Sequence, residues 1–356
     1  MVLPSSGDPR LRLSAVIMTL HVLGQTVLGF KVSIAQILVS IGVGALIELA
    51  VTYRRQRMLV WPASGILTGS GVAFILRASG TDNGDWWSLN GIQFFVLAVV
   101  LSLLSKYFIR PGGRHLFNPS NVGLVWALLV IGPNHVFPQY LWWGPNDAAV
   151  AVAYAVILLG GVWVLKPVRM APMAASFLVP FAVLVGAFAA SGRSFIAIWH
   201  DEPIGGASYF LNVAMSPEVL VFVLFMMSDP QTAPRARAGR VIYGSATALV
   251  AAGLIYFQPT EFGIKLAILS SLTVVCALVP LIEAAARRVG QPRGEAVSTL
   301  GDARPLPQRL VAAARNPAIV AALIIAVAAP LNTAALAGNQ QVILIERGLT
   351  GEANAQ

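Results

Sequence analysis

The chain has 356 residues, of which 57% are hydrophobic and 11% charged, and its mean hydropathy is +0.75. That is more apolar surface than a soluble domain can bury, so the composition excludes a water-soluble fold. The net charge of +9 sits as Arg and Lys at the ends of apolar runs, which points to orientation in a lipid bilayer and gives no reason to invoke nucleic acid.

Arg10 and Arg12 precede a first apolar run at roughly 13–30, and a second at roughly 32–52 ends in Tyr53-Arg-Arg-Gln-Arg57. A third, roughly 58–77, is interrupted by Pro62, Gly65, Gly69 and Gly71. An acidic, aromatic stretch at 79–87 leads to span four, roughly 90–109. The segment 111–121 opens span five, and a loop runs from Gly132 to Asp147. Spans six to ten follow at roughly 148–165, 172–190, 207–228, 241–257 and 264–285. A polar linker at 291–315, a further apolar segment at 316–340 and a polar tail at 341–356 complete the chain. No A-x-A-like cleavage site follows the first run. The single cysteine, Cys276, excludes an internal disulfide and a cysteine-based metal site. His21, His115, His135 and His200 are scattered.

The runs are unbroken rather than alternating, so the fold class is an all-α polytopic membrane protein of ten or eleven helices. Ten results if 316–340 only lies at the interface. Basic loops (the N-terminus, 53–57, 106–114, 166–169, 235–240) alternate with acidic or neutral ones (81–85, 134–147, 200–202, 258–261), with Lys31 and Arg193 as exceptions. The alternation places the N-terminus in the cytoplasm and Trp86, Trp87, Trp142, Trp143 and Trp199 in an outer aromatic belt.

Met215–Pro234 reads as a half-length helix. Ser216 caps it, Pro217 suits its first position, and Asp229-Pro230 breaks it. If the helix exits at Asp229, Glu218 lies near the bilayer midplane, where an ionisable group is a functional candidate. The bland reading is a carboxylate that satisfies its own first-turn N–H groups. Ser64–Arg77 has the same form, five spans earlier and therefore antiparallel. The pair suggests inverted repeats with discontinuous helices three and eight, their positive ends facing each other.

Ser64-Gly-Ile-Leu-Thr-Gly69, Gly113-Arg-His-Leu-Phe-Asn-Pro-Ser-Asn121 and Met227-Ser-Asp-Pro-Gln-Thr-Ala-Pro234, with Gly239–Gly244, resemble the RnfD/NqrB family. These are membrane subunits of the Rnf complexes and of the sodium-pumping NADH:quinone reductase. The resemblance covers about 10–290. It implies five-plus-five inverted repeats, about 10–145 and 146–290, in a bacterial inner membrane, with flavin-mediated electron transport coupled to cation movement and with redox-complex subunits as partners. The family's covalent FMN sits on a threonine in a long loop between spans five and six. Here the loop Gly132–Asp147 is short and has no threonine, so covalent FMN is not expected. Any flavin would be non-covalent FMN or riboflavin. The short loop also resembles the RnfD-like proteins encoded with enediyne biosynthesis genes.

On this reading Arg114, His115, Asn118, Asn121, Asp229, Thr232 and Arg240 are the candidate flavin-binding residues. Their bland alternatives are helix capping, an Asx-turn between prolines, and membrane anchoring. Ser64, Thr68, Ser216 and Glu218 are the candidate transport path. His21 and Gln25 share a face, and Glu261 and Lys265 look like an ordinary i,i+4 pair. Three functions stand: an electron-transport subunit, a transporter or channel for ions or a small molecule with no redox role, or a membrane scaffold for a partner complex.

Overall fold

The computed structural model describes residues 2–5 and 7–290. The linker at 291–315, the apolar segment at 316–340 and the tail lie outside the described residues. Helices α1 (Pro9–Thr26), α2 (Ile34–Gln56) and α3 (Ala63–Ile75) lead into strand β1 (Leu76–Ala78). Then come α4 (Ile92–Phe108), α5 (Pro119–Val130), strand β2 (Val136–Pro138), α6 (Ala148–Val168) and α7 (Ala171–Ala190). A small β3–β4 ribbon (Ser194–Phe195, Ile204–Gly205) precedes α8 (Gly206–Ala214) and α9 (Pro217–Val221), which continues as a π-helical turn, Phe222–Met227. Helices α10 (Arg237–Ile255) and α11 (Glu261–Gly290) end the described chain.

Among the described residues, six helical stretches are long and apolar enough to cross a bilayer, and three shorter apolar helices lie among them. Their backbones satisfy themselves internally, as a bilayer requires, and two of them, Gly206–Met227 and Glu261–Ala286, are largely buried among the others. This is a multi-pass helical membrane protein. Helix α2 packs on α3 and α4, α4 on α5, α7 on α8 and α10, and α10 on α11; α1 meets α6, and α5 meets α11.

Helix ends fall into two groups. At one end Arg12 reaches the Trp163 carbonyl, Arg114 the carbonyls of 230–233, and Arg240 that of Arg169. At the other end Ala35 N–H donates to the Trp86 carbonyl, and Lys31, an exception to the charge alternation, pairs with Asp82 at 3.0 Å. Arg193, the second exception, stacks over the Tyr256 ring at 3.9 Å.

Two departures from helix shape the interior. Helix α3 stops after 13 residues, and β1 pairs antiparallel with β2, Leu76 opposite Pro138 and Ala78 opposite Val136. Both strands are fully buried; extended backbone is tolerated at membrane depth only inside protein. The second departure is a break at Met215-Ser216. Ser216 is extended, its hydroxyl caps Val219 N–H at 3.2 Å, and Tyr154 donates to the freed Met215 carbonyl at 2.6 Å.

Two expectations change here. Trp143 is not in an outer belt, because the segment after β2 turns inward and buries it to 3% exposure. Nor do the positive ends of two half-helices meet. The start of α3 lies with Glu48 and Lys106, whereas its C-terminal residue Ile75 lines the same crevice as Glu218.

Helices α2 and α3 approach backbone to backbone. A Cβ at Gly69 would collide with the Ser40 carbonyl, and one at Gly65 with that of Gly44, whereas Gly42 on the same helix has open space. Gly69→Ala is therefore expected to destabilise the protein by about 1–3 kcal/mol and Gly42→Ala to leave it unchanged, read as thermal midpoints in detergent.

Candidate functional site

The break before α9 abuts α11 in the interior. Glu218 and Lys265 are 2% and 3% exposed, and their carboxylate and ammonium are in contact. The other carboxylate oxygen of Glu218 accepts from Trp143 Nε1 at 3.0 Å, and Lys265 Nζ also reaches the Gln139 carbonyl at 3.3 Å. Ser216, not Glu218, caps the helix, so the carboxylate is aimed away from its own backbone and across to α11.

One turn earlier on α11, Glu261 is 7% exposed. It accepts from Leu141 N–H at 2.6 Å and from Trp199 Nε1 at 2.9 Å. Arg77, on β1, donates to the Pro138 carbonyl at 3.1 Å and lies 4.0 Å from the Tyr140 ring centroid. Two carboxylates and two cations thus share one enclosed neighbourhood, and each is bound by the inserted segment 138–143. Their formal charges cancel. The Glu261–Lys265 spacing is real, but the expectation of an ordinary helix-start pair is corrected: the buried Lys265 ammonium is held by Glu218.

Burying such a pair costs several kcal/mol per ion before attraction repays it, and an apolar replacement is often as stable. Folding alone therefore gives no reason for ionisable groups here. A crevice too narrow for a water molecule lies against the pair, lined by Glu218 and Lys265 together with Ile75, Leu141, Phe222 and Leu269.

The structure brings most of the sequence-nominated flavin residues together, at the start of α5. Asn118 caps that helix, accepting from Asn121 N–H at 3.1 Å, and donates to the Met226 carbonyl at 3.1 Å in the π turn. Asn121 Nδ2 reaches the Leu269 carbonyl at 2.9 Å and Thr273 Oγ1 at 3.0 Å. Arg114 donates to the carbonyls of Pro230, Gln231 and Ala233, and its Nη1 is 3.8 Å from Glu283. His115 Nε2 lies 3.6 Å from Asp229, and Thr232 Oγ1 donates to the Asp229 carbonyl at 3.3 Å. Arg240 ties the Pro234 and Arg169 carbonyls at 3.0 and 3.1 Å. The arginine donors that an FMN phosphate would need are committed here to the protein's own carbonyls.

Ser64 and Thr68 lie apart from Glu218. Lys106 Nζ donates to Ser64 Oγ at 2.7 Å and to Glu48 at 3.1 Å, and the other Glu48 oxygen accepts from Gly65 N–H. Thr68 bonds back to the Ser64 carbonyl at 2.8 Å. The start of α3 is thus a second, separate ion-pair site. His21 and Gln25 do not pair: His21 meets Ser70 at 3.3 Å, and Gln25 donates to the Val32 carbonyl at 2.7 Å.

Sequence reasoning missed Lys265, Trp143, Gln139 and Arg77 as site residues. Lys265 stands at the very start of span ten, four residues after Glu261, where a lysine reads as an ordinary helix-start charge, so the sequence carried no signal for it. Gln139 and Trp143 had none, since they sit in what reads as an outer loop.

Comparison with known proteins gives no matching family model and no matching curated protein.

Removing one partner of the pair strands a buried charge. Glu218→Gln and Lys265→Met are each expected to destabilise by about 3–5 kcal/mol, and the double variant to recover most of that loss. A thermal double-mutant cycle on purified protein measures the coupling, and additive single effects would disprove it.

Proposed function

We propose that this protein moves protons across the bilayer as a transporter, with Glu218 the group that takes up and releases them. The observation that carries the reading is the fully buried Glu218–Lys265 pair at the break in a membrane helix. Both carboxylates are approached by N–H and ammonium donors rather than by oxygen ligands, which suits proton exchange better than binding of a metal cation. A proton on Glu218 neutralises it and frees Lys265. Glu261, one turn away on the same helix, then balances the lysine charge. With Arg77 counted, the protonated cluster carries one net positive charge, which makes it the higher-energy of the two states and the one that gives up its proton.

Several features support an inverted-repeat architecture. Helix α2 meets α3 and α4 as α7 meets α8 and α10, and α4 meets α5 as α10 meets α11. The halves divide at Asp147, which caps α6. By the positive-inside rule the arginine-rich end faces the cytoplasm of a bacterial inner membrane.

A second reading, that of an electron-transport subunit like RnfD/NqrB, is favoured by one observation. The two segments that carry the resemblance, 113–121 and 227–234, interlock through Arg114, and Asn118 bonds the Met226 carbonyl just before the second. In that reading this chain supplies the ion path and partner subunits carry the electrons.

The test is proton flux into liposomes holding a trapped pH dye, driven by a potassium diffusion potential. Glu218→Gln is expected to lower the flux by about a hundredfold, while Glu202→Gln, on an exposed loop, keeps it. Native flux in Glu218→Gln would overturn the proton reading. Co-purifying redox subunits, with an acid-released flavin band in the spectrum, would favour the second.

A further inference from the structure

One face of α11 carries polar groups through most of the protein's depth. Glu261, Lys265, Thr273 and Cys276 recur at spacings of three, four and eight, with Leu269 filling the gap between Lys265 and Thr273. At 1.5 Å per residue the stripe spans about 22 Å. Every member is buried.

Below Leu269 the stripe continues sideways. Thr273 meets Asn121 at 3.0 Å, and Cys276 Sγ lies 3.2 Å from Tyr243 Oη. Tyr243 contacts the Thr232 side chain, and Thr232 leads to Asp229 and His115 at the arginine-rich end. Three polar atoms in this layer and at its exit have no hydrogen-bond partner within the described protein: Asn121 Oδ1, Ser270 Oγ and His115 Nε2. Ser270 stands one turn before Thr273. Buried polar atoms without protein partners are the ones that bind internal water, and a site with several such partners holds it well. Above the layer, Leu269 and Phe222 line the narrow crevice that Glu218 itself borders.

We propose that this layer is a hydrated half-path, a file of water between Asp229–His115 and Thr273, ended by an apolar plug of Leu269 and Phe222. It deepens the reading of Glu218 as the proton-exchanging group: the plug is what keeps Glu218 from exchanging freely with that end.

Cys276 is the chain's single cysteine and lies inside the proposed file, so its S–H infrared band reports water access without reference to transport. On transfer of the native proteoliposomes to D₂O, the band is expected to shift to S–D within minutes, ahead of the core amides. In Thr273→Val it should exchange on the order of tenfold more slowly. Persistence of the native S–H band for hours would overturn the proposal, and so would an unchanged rate in Thr273→Val. Should Thr273→Val not fold, Leu269→Asn serves instead: it should raise passive proton leak in the flux assay, and an unaltered leak would remove the plug. Fast S–H exchange in a protein that shows no proton flux would sink the transport reading and leave the water file standing.

Discussion

The structure depends on one constraint: every polar group carried into the bilayer must find its partner inside the protein. The segment after α5 shows how much follows. Its strand β2 closes the hydrogen bonds that β1 loses when α3 ends. Beyond β2, Gln139, Leu141 and Trp143 each supply a group to the buried charges. Without that insertion Glu218 and Lys265 would keep only each other and Glu261 only Trp199, leaving donors and acceptors of buried charges unsatisfied, which is costly in an apolar interior.

The same constraint separates two kinds of polar residue. The residues from Arg114 to Arg240 at the arginine-rich end mostly tie down backbone carbonyls of the 229–234 turn. Such work holds the end of a helix in place and leaves little hydrogen-bonding capacity for a ligand. Glu218 and Lys265 instead bind each other first, and each makes a single further bond to the inserted segment, at Trp143 and Gln139. That difference makes the pair, rather than the arginine cluster, the better candidate for chemistry.

Much of the fold was legible in the sequence because membrane helices are written as apolar runs. The cap at Ser216, the stop at Asp229-Pro230 and the Asn118-Pro119 start were legible too, since capping chemistry is local. The depth of Glu218 followed from helix length alone. Its partner did not, because Lys265 lies 47 residues away and the contact exists only once α9 and α11 pack. The inward turn of 132–147 was invisible for a different reason. A Trp-, Pro- and Asn-rich stretch reads as an interfacial loop, and nothing local says that strand pairing with Leu76–Ala78 will pull it below the surface.

The π-helical turn at Phe222–Met227 gives the short helix a property that neither the break nor the ion pair supplies. A π turn holds one residue more than the α geometry it interrupts. Because α-helix advances by about 100° per residue, taking up or releasing that residue rotates one end of the helix against the other with no hydrogen-bonded turn fully lost. One end here bears Glu218; the other is pinned by Asn118 and the Arg114-bound turn. Both ends are held, one by the Ser216 cap, Trp143 and Lys265 and the other by Asn118, so the extra residue sits between two fixed points and any change of register would turn one against the other.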